Sequence, residues 1–134
     1  LGSKIDIMDS KKHDRILSIT SHIPHLVAYN IVNTSLEIEN SDKMNIVKYS
    51  AGGLRDFTRI AASNPIMWRD IFLHNQKNTT ETIDKFIKNL EDLKQAIRDK
   101  NGEKLEKIFI KTKKIRKEII EAGQDTTKPD FGRK

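Results

Sequence analysis

The chain has 134 residues, a formal net charge of +6 and no cysteine; 36% of residues are hydrophobic and 33% charged, with a mean hydropathy of −0.62. That balance suits amphipathic helices around one modest core and leaves little room for a second. It excludes disulfides, thiolate nucleophiles and Cys-based zinc sites, and no apolar run reaches the roughly 20 residues of a membrane span.

The opening "LGSKIDIMDSKKHDR" has a strand-like alternation at Ile5 and Ile7 with no evident partner strand. It lacks the apolar stretch of a signal peptide, so a cytoplasmic location is the default expectation. Asp9 or Ser10 can cap a helix that follows. Ile16, Ile19, Ile23, Leu26, Val27, Ile31 and Leu36 recur at three- and four-residue steps, the core stripe of such a helix. Pro24 has no N–H and its ring crowds the preceding turn, so it predicts a break or kink near residues 20–23. Two helices should therefore meet at "SHIPH", the second ending near Glu39.

"NSD" then makes a turn, residues 43–49 a short helical piece, and "SAGG" a break before a helix over residues 54–62. Asn64 suits an N-cap and Pro65 the first position of the next helix. Its pattern runs long, from Ile66, Met67, Ile71 and Phe72 to Ile83, Phe86, Ile87, Leu90, Leu93 and Ile97. The polar middle, "HNQKNTTET", is either an exposed section or a break. Asn101-Gly102 makes a turn, and Leu105, Ile108, Phe109, Ile115 and Ile119 form the last stripe, to Ala122, with Gly123 placed to terminate it. The expectation is an all-α fold of about six helices. Residues 1–9 form a linker or the end of another domain, 10–122 the helical domain and 123–134 a polar tail.

Several constellations could carry chemistry. The glycines form neither GxGxxG nor a GxxxxGK[ST] loop, so no nucleotide cradle is encoded. His22 and His25 lie three apart, but no HExxH or further ligand supports a metal site. Arg55 and Arg59 lie four apart, side by side on one helix face. Asp56 could pair with one of them, giving a surface ion-pair set. Alternatively the guanidiniums form an anion site, since their geometry matches a carboxylate in bidentate fashion, with Gly52-Gly53 offering close backbone approach. Trp68 could be core or the wall of a flat pocket. Lys111, Lys113, Lys114, Arg116 and Lys117 interleave with apolar residues; the ordinary account is a solvated helix face, and a polyanion-binding face is the alternative. The eight aromatics sit mostly at core-like positions, which argues against base stacking.

The strings "HDRILSITSHIPHLVA" and "YSAGGLRDFTRIAASNPIMWRDIFLHN", with their spacing, resemble the C-terminal helical domain of the prephenate/arogenate (cyclohexadienyl) dehydrogenase family of tyrosine biosynthesis. The resemblance runs from about Lys4 to Ala122, and the ending "IIEAGQDTTKPDFGR" adds to it. It implies an NAD- or NADP-dependent oxidative decarboxylation of prephenate or arogenate by an intact, homodimeric enzyme. It also implies that the catalytic histidine and the cofactor site lie in a nucleotide-binding domain absent from this sequence, so that this fragment alone holds no catalytic residue, binds no cofactor and is inactive. Carried over by motif, His25 should hydrogen-bond substrate, Arg59 should grip a substrate carboxylate, and Trp68 and Asp56 should line the pocket. Gly53 should bring backbone close to the ligand, and Arg55 is left with positioning or ion pairing. Neither metal, membrane nor nucleic acid is expected. Two alternatives stand beside this reading: a non-catalytic helical dimerisation module, and a basic helical nucleic-acid binder.

Overall fold

The computed structural model describes residues 5–42 and 45–123. Lys43, Met44 and the expected tail beyond Gly123 lie outside the described residues. Every regular element among the described residues is helical: α1 (Ser10–Leu17), α2 (Ile23–Asp42), α3 (Ile46–Tyr49), α4 (Gly52–Thr58), α5 (Pro65–His74), α6 (Gln76–Arg98) and α7 (Gly102–Glu121). The all-α expectation holds, with two of these seven helices only 4 and 7 residues long. Residues 5–9 form no strand, and Ile5 and Ile7 are exposed.

The capping chemistry explains most boundaries. Asp9 caps α1, its carboxylate accepting from the Lys12 N–H at 3.0 Å. Asn64 caps α5, its Oδ1 accepting from Ile66 and Met67 N–H at 3.0 and 3.1 Å, and Pro65 occupies the first turn. Asn101 caps α7 by accepting from the Lys104 N–H at 2.9 Å. Gly123 ends the helical path with φ +75, the left-handed conformation a glycine adopts without penalty.

The interruption expected at Pro24 takes a specific form. Between α1 and α2 the chain makes a π-turn, Ser18–His22, closed by the Ile23 N–H on the Ser18 carbonyl. Pro24 cannot donate to an acceptor one turn back, and the widened turn carries the backbone across that gap. α2 continues to Asp42, past the expected end. The helix expected over residues 54–62 starts earlier, since Gly52 and Gly53 are helical, and tightens into a 3₁₀ turn, Arg59–Ala61. Arg59 is the C-cap of α4 and the first residue of that 3₁₀ turn. The long pattern after Pro65 is two helices, because α5 ends at Asn75, whose N–H bonds to the Ile71 carbonyl at 3.2 Å.

The helices fall into two units, one ending at Asp84 and the other beginning at Lys85. In the first, α2 packs against the π-turn, α3, α4 and the 3₁₀ turn. The second contains the remainder of α6 and α7, which share a groove lined by Leu93, Ile108, Ile115 and Ile119.

Burial departs from the expected stripes. Among the described residues the buried apolar side chains are Ala28, Trp68 and Ala96. Ile16, Ile19, Leu36, Ile87, Leu90, Ile97, Phe109, Ile115 and Ile119, all assigned to core stripes, are exposed. The aromatics are likewise not mostly core: Tyr49, Phe57, Phe86 and Phe109 are exposed while Trp68 is buried. Periodicity marks a face that can be covered; among the described residues these side chains are left exposed. No described helix is long and apolar enough to cross a membrane.

Candidate functional site

The π-turn, the first turn of α2 and α5 bring four rings together, those of His22, His25, Trp68 and Phe72. His25 stacks on Trp68 with ring centroids 3.7 Å apart and planes inclined by 24°. His22 meets the same indole edge-on at 6.3 Å and Phe72 edge-on at 6.2 Å. The Asn64–Pro65 start of α5 fixes Trp68 one turn in, where its N–H closes on the Asn64 carbonyl at 3.2 Å. Tyr29 of α2 reaches across to donate to the Ser63 carbonyl at 3.1 Å, tying α2 to the same joint. The indole is 6% exposed and its Nε1–H is buried with no acceptor among the described residues. Beside it lies a cavity of about 560 Å³ lined by Leu26, Tyr29, Asn30, Pro65, Trp68 and Phe72.

The hydrogen bonds set the histidine tautomers. His25 Nδ1 lies 2.9 Å from the Ser21 carbonyl, which can only accept, so Nδ1 carries the hydrogen. A neutral His25 therefore presents a lone pair at Nε2, an acceptor for a ligand hydroxyl. His22 has the opposite assignment: the Asn75 amide donates to its Nδ1 at 3.4 Å, and Thr79 Oγ1 lies 3.3 Å away. Burial pushes the His22 pKa below its ordinary value of 6.5; Asp14 opposes this, while His25 and His13 add to it.

The residues around His22 are those the sequence reading missed. "HNQKNTTET" is neither simply exposed nor merely a break. Asn75 donates to the Asp14 carbonyl at 2.7 Å, Ser18 and Thr82 hydroxyls meet at 3.0 Å, and Arg15 pairs with Glu81 at 2.8 Å. Thr79 is 3% exposed. The signal was there: Asn75, Thr79 and Thr82 recur at three- to four-residue steps, a polar stripe matching Ser18 and His22.

The remaining predicted residues sit on α4 and its extension. Arg59 opens the 3₁₀ turn that packs on α2, its carbonyl accepting from the Ala62 N–H at 3.3 Å; it is exposed, and its side chain makes no ion pair or hydrogen bond among the described residues. Asp56 pairs with Arg55 at a long 3.9 Å, both largely exposed. At Gly53 a Cβ would meet nothing within 4 Å, so the backbone there is open to approach. Thus His25 and Trp68 are brought into contact, Asp56 and Arg55 form a second pair, and no hydrogen bond or ion pair links Arg59 to either. The lysines of α7 are exposed, with Lys117 3.6 Å from Glu121.

The chain matches the family described as "prephenate dehydrogenase, dimerization domain" over residues 9–111. It is 38% identical over 116 residues to a cyclohexadienyl dehydrogenase from Zymomonas mobilis, covering 87% of this chain and 40% of that protein. A prephenate dehydrogenase from Bacillus subtilis is 35% identical over 124 residues, covering 92% of this chain and 33% of that one. Among solved structures, prephenate dehydrogenase from A. aeolicus, in complex with hydroxyphenyl propionate and NAD+, superposes with a TM-score of 0.80 at 40% identity, covering 87% of this chain and 40% of that chain. The chain thus spans at most 40% of the length of these relatives. With the fold, the motifs and these matches in agreement, the chain belongs to the prephenate dehydrogenase dimerization-domain family.

Proposed function

We propose that the chain is the substrate-binding and homodimerising part of an NAD- or NADP-dependent prephenate or arogenate dehydrogenase of tyrosine biosynthesis, working in the cytoplasm. The observation that carries this reading is His25 stacked on a buried Trp68, with Nδ1 held by the Ser21 carbonyl and Nε2 left to accept. A flat indole wall suits a six-membered ring, and an imidazole acceptor suits the hydroxyl that such a ring carries. Arg59 supplies the charge. Its guanidinium has no partner among the described residues and can grip a substrate carboxylate in bidentate fashion. Gly53 offers open backbone, and Asp56, three residues before Arg59, lines the same pocket.

In the reaction so implied, a hydride leaves the ring carbon bearing the hydroxyl, carbon dioxide is released and the ring becomes aromatic. The hydride acceptor and the catalytic base belong to a dinucleotide-binding domain that this sequence does not contain. The glycines here do not fit a dinucleotide pyrophosphate. The residues present therefore bind and orient, and the chain by itself is expected not to turn over.

Calorimetric titration with 4-hydroxyphenylpyruvate tests the reading. Saturable binding is expected, with Arg59→Ala weakening it roughly 10- to 100-fold through loss of a charge-assisted contact. Phenylpyruvate, lacking the hydroxyl, should bind more weakly than 4-hydroxyphenylpyruvate to the wild type and equally to His25→Ala. No saturable binding to the folded wild type, or an Arg59→Ala variant that binds as well as wild type, would overturn the reading.

A further inference from the structure

Asn75 stands where α1, the π-turn, α5 and α6 meet. Its N–H closes α5 on the Ile71 carbonyl at 3.2 Å, and its own carbonyl accepts from the Thr79 N–H at 3.0 Å, in the first turn of α6. The half-buried side chain reaches the other two elements. Its amide donates to the Asp14 carbonyl of α1 at 2.7 Å and to His22 Nδ1 of the π-turn at 3.4 Å, while Asn78 donates to its oxygen at 2.8 Å. A backbone carbonyl only accepts, so the Asp14 contact fixes which end of the amide carries the nitrogen. His22 Nδ1 also lies 3.3 Å from Thr79 Oγ1. One lone pair shared between two donors accounts for both contacts being long, and leaves the ring hydrogen at Nε2.

Both rings of the His25–Trp68 stack are tied to these contacts. Trp68 and Phe72 lie on α5, which Asn75 terminates. His22 stands edge-on to both, at 6.3 and 6.2 Å, so the imidazole that Asn75 holds is wedged against α5. His22 also directly follows Ser21, whose carbonyl holds His25 Nδ1 at 2.9 Å. A slip of the π-turn against α5 therefore moves His25 relative to Trp68, and about 1 Å is enough to spoil a directed contact.

We infer that Asn75 is a positioning residue for the substrate surface. Through His22 and the Asp14 carbonyl it sets α5 in register with the π-turn, and so keeps His25 Nε2 aimed at the substrate hydroxyl beside the Trp68 wall. This role rests on His25 and Trp68 facing substrate, as proposed above.

Asn75→Asp keeps the size of the side chain and removes the hydrogens it donates; Asn75→Ala removes the contacts altogether. Thr82→Val cuts the Ser18 contact of the same seam without touching His22, and shows what a merely structural loss does. Circular dichroism on the whole chain establishes that each variant is folded. In calorimetry both Asn75 variants should lose most of the preference for 4-hydroxyphenylpyruvate over phenylpyruvate, a change of roughly fivefold, the effect of one neutral hydrogen bond. Thr82→Val should keep the preference. Trp68, the chain's one tryptophan, gives a reading without ligand. An imidazolium in contact quenches an indole, so acidification should lower its emission, and His25→Gln marks the share due to the stack. Most of that share should vanish in both Asn75 variants and persist in Thr82→Val. The inference is overturned if the folded Asn75 variants keep either the preference or the quenching, or if Thr82→Val loses them equally. A wild type that binds neither ligand would sink the substrate reading alone; quenching kept by the Asn75 variants would then still overturn the positioning of the two rings.

Discussion

His22 is 5% exposed, held between the edges of Trp68 and Phe72 and the side chains of Thr79 and Asn75. Its lowered pKa makes stability depend on pH, and the sign follows from linkage. The unfolded chain takes up a proton at His22 near the ordinary value of about 6.5, while the folded chain takes it up only at lower pH. Stability from this residue is therefore complete above pH ~6.5 and is lost as pH falls toward the lower folded pKa. Urea midpoints at pH 7.5 and 5.5 should fall for the wild type and fall by less for His22→Gln; equal losses would show that His22 is not responsible. At this scale the sequence was partly readable. His25 and Trp68 stood out one by one, as a histidine beside a proline and a lone tryptophan, but their contact spans more than forty residues of sequence and no local pattern encodes it. Asn75 and Thr79 were lost in a polar run, because polarity alone does not separate a solvated face from a hydrogen-bonded seam.

The elements were more legible than the residues, because their ends are written in short-range chemistry. Asp9, Asn64 with Pro65, and Gly123 all stand where capping preferences put them. Pro24 signalled an interruption, though not a π-turn, since the missing N–H is local and the way the backbone absorbs it depends on what packs alongside. The turn at Asn101 conceals a penalty. The Asn101 N–H bonds to the Ala96 carbonyl at 2.9 Å and the Lys100 N–H to the Ile97 carbonyl at 3.1 Å, a Schellman closure with Lys100 at φ 51. A side chain in that conformation costs about 1–2 kcal/mol that glycine avoids, so Lys100→Gly should stabilise the chain by about 1 kcal/mol after its own entropy loss. An unchanged or lower urea midpoint for Lys100→Gly would contradict that account.

At the scale of the whole molecule, the apolar stripes of α1, α2, α6 and α7 were legible as pattern while their burial was not. Ile16, Leu36, Leu90, Ile97, Phe109 and Ile119 keep helical spacing and remain exposed in one chain. The same period results whether the covering surface comes from another part of the chain or from a second copy, so sequence periodicity cannot distinguish them. The chain belongs to a family described as a dimerization domain, and we propose that a second copy is what covers these faces. The central claim is then that a second copy covers them, and that the His25–Trp68 surface is presented by a dimer. Light scattering across micromolar concentrations measures this most directly. A mass of twice the 15.5 kDa of one chain is predicted, shifting toward a single chain when Leu90 and Phe109 are both replaced by Glu; a wild-type mass of one chain throughout would contradict the account.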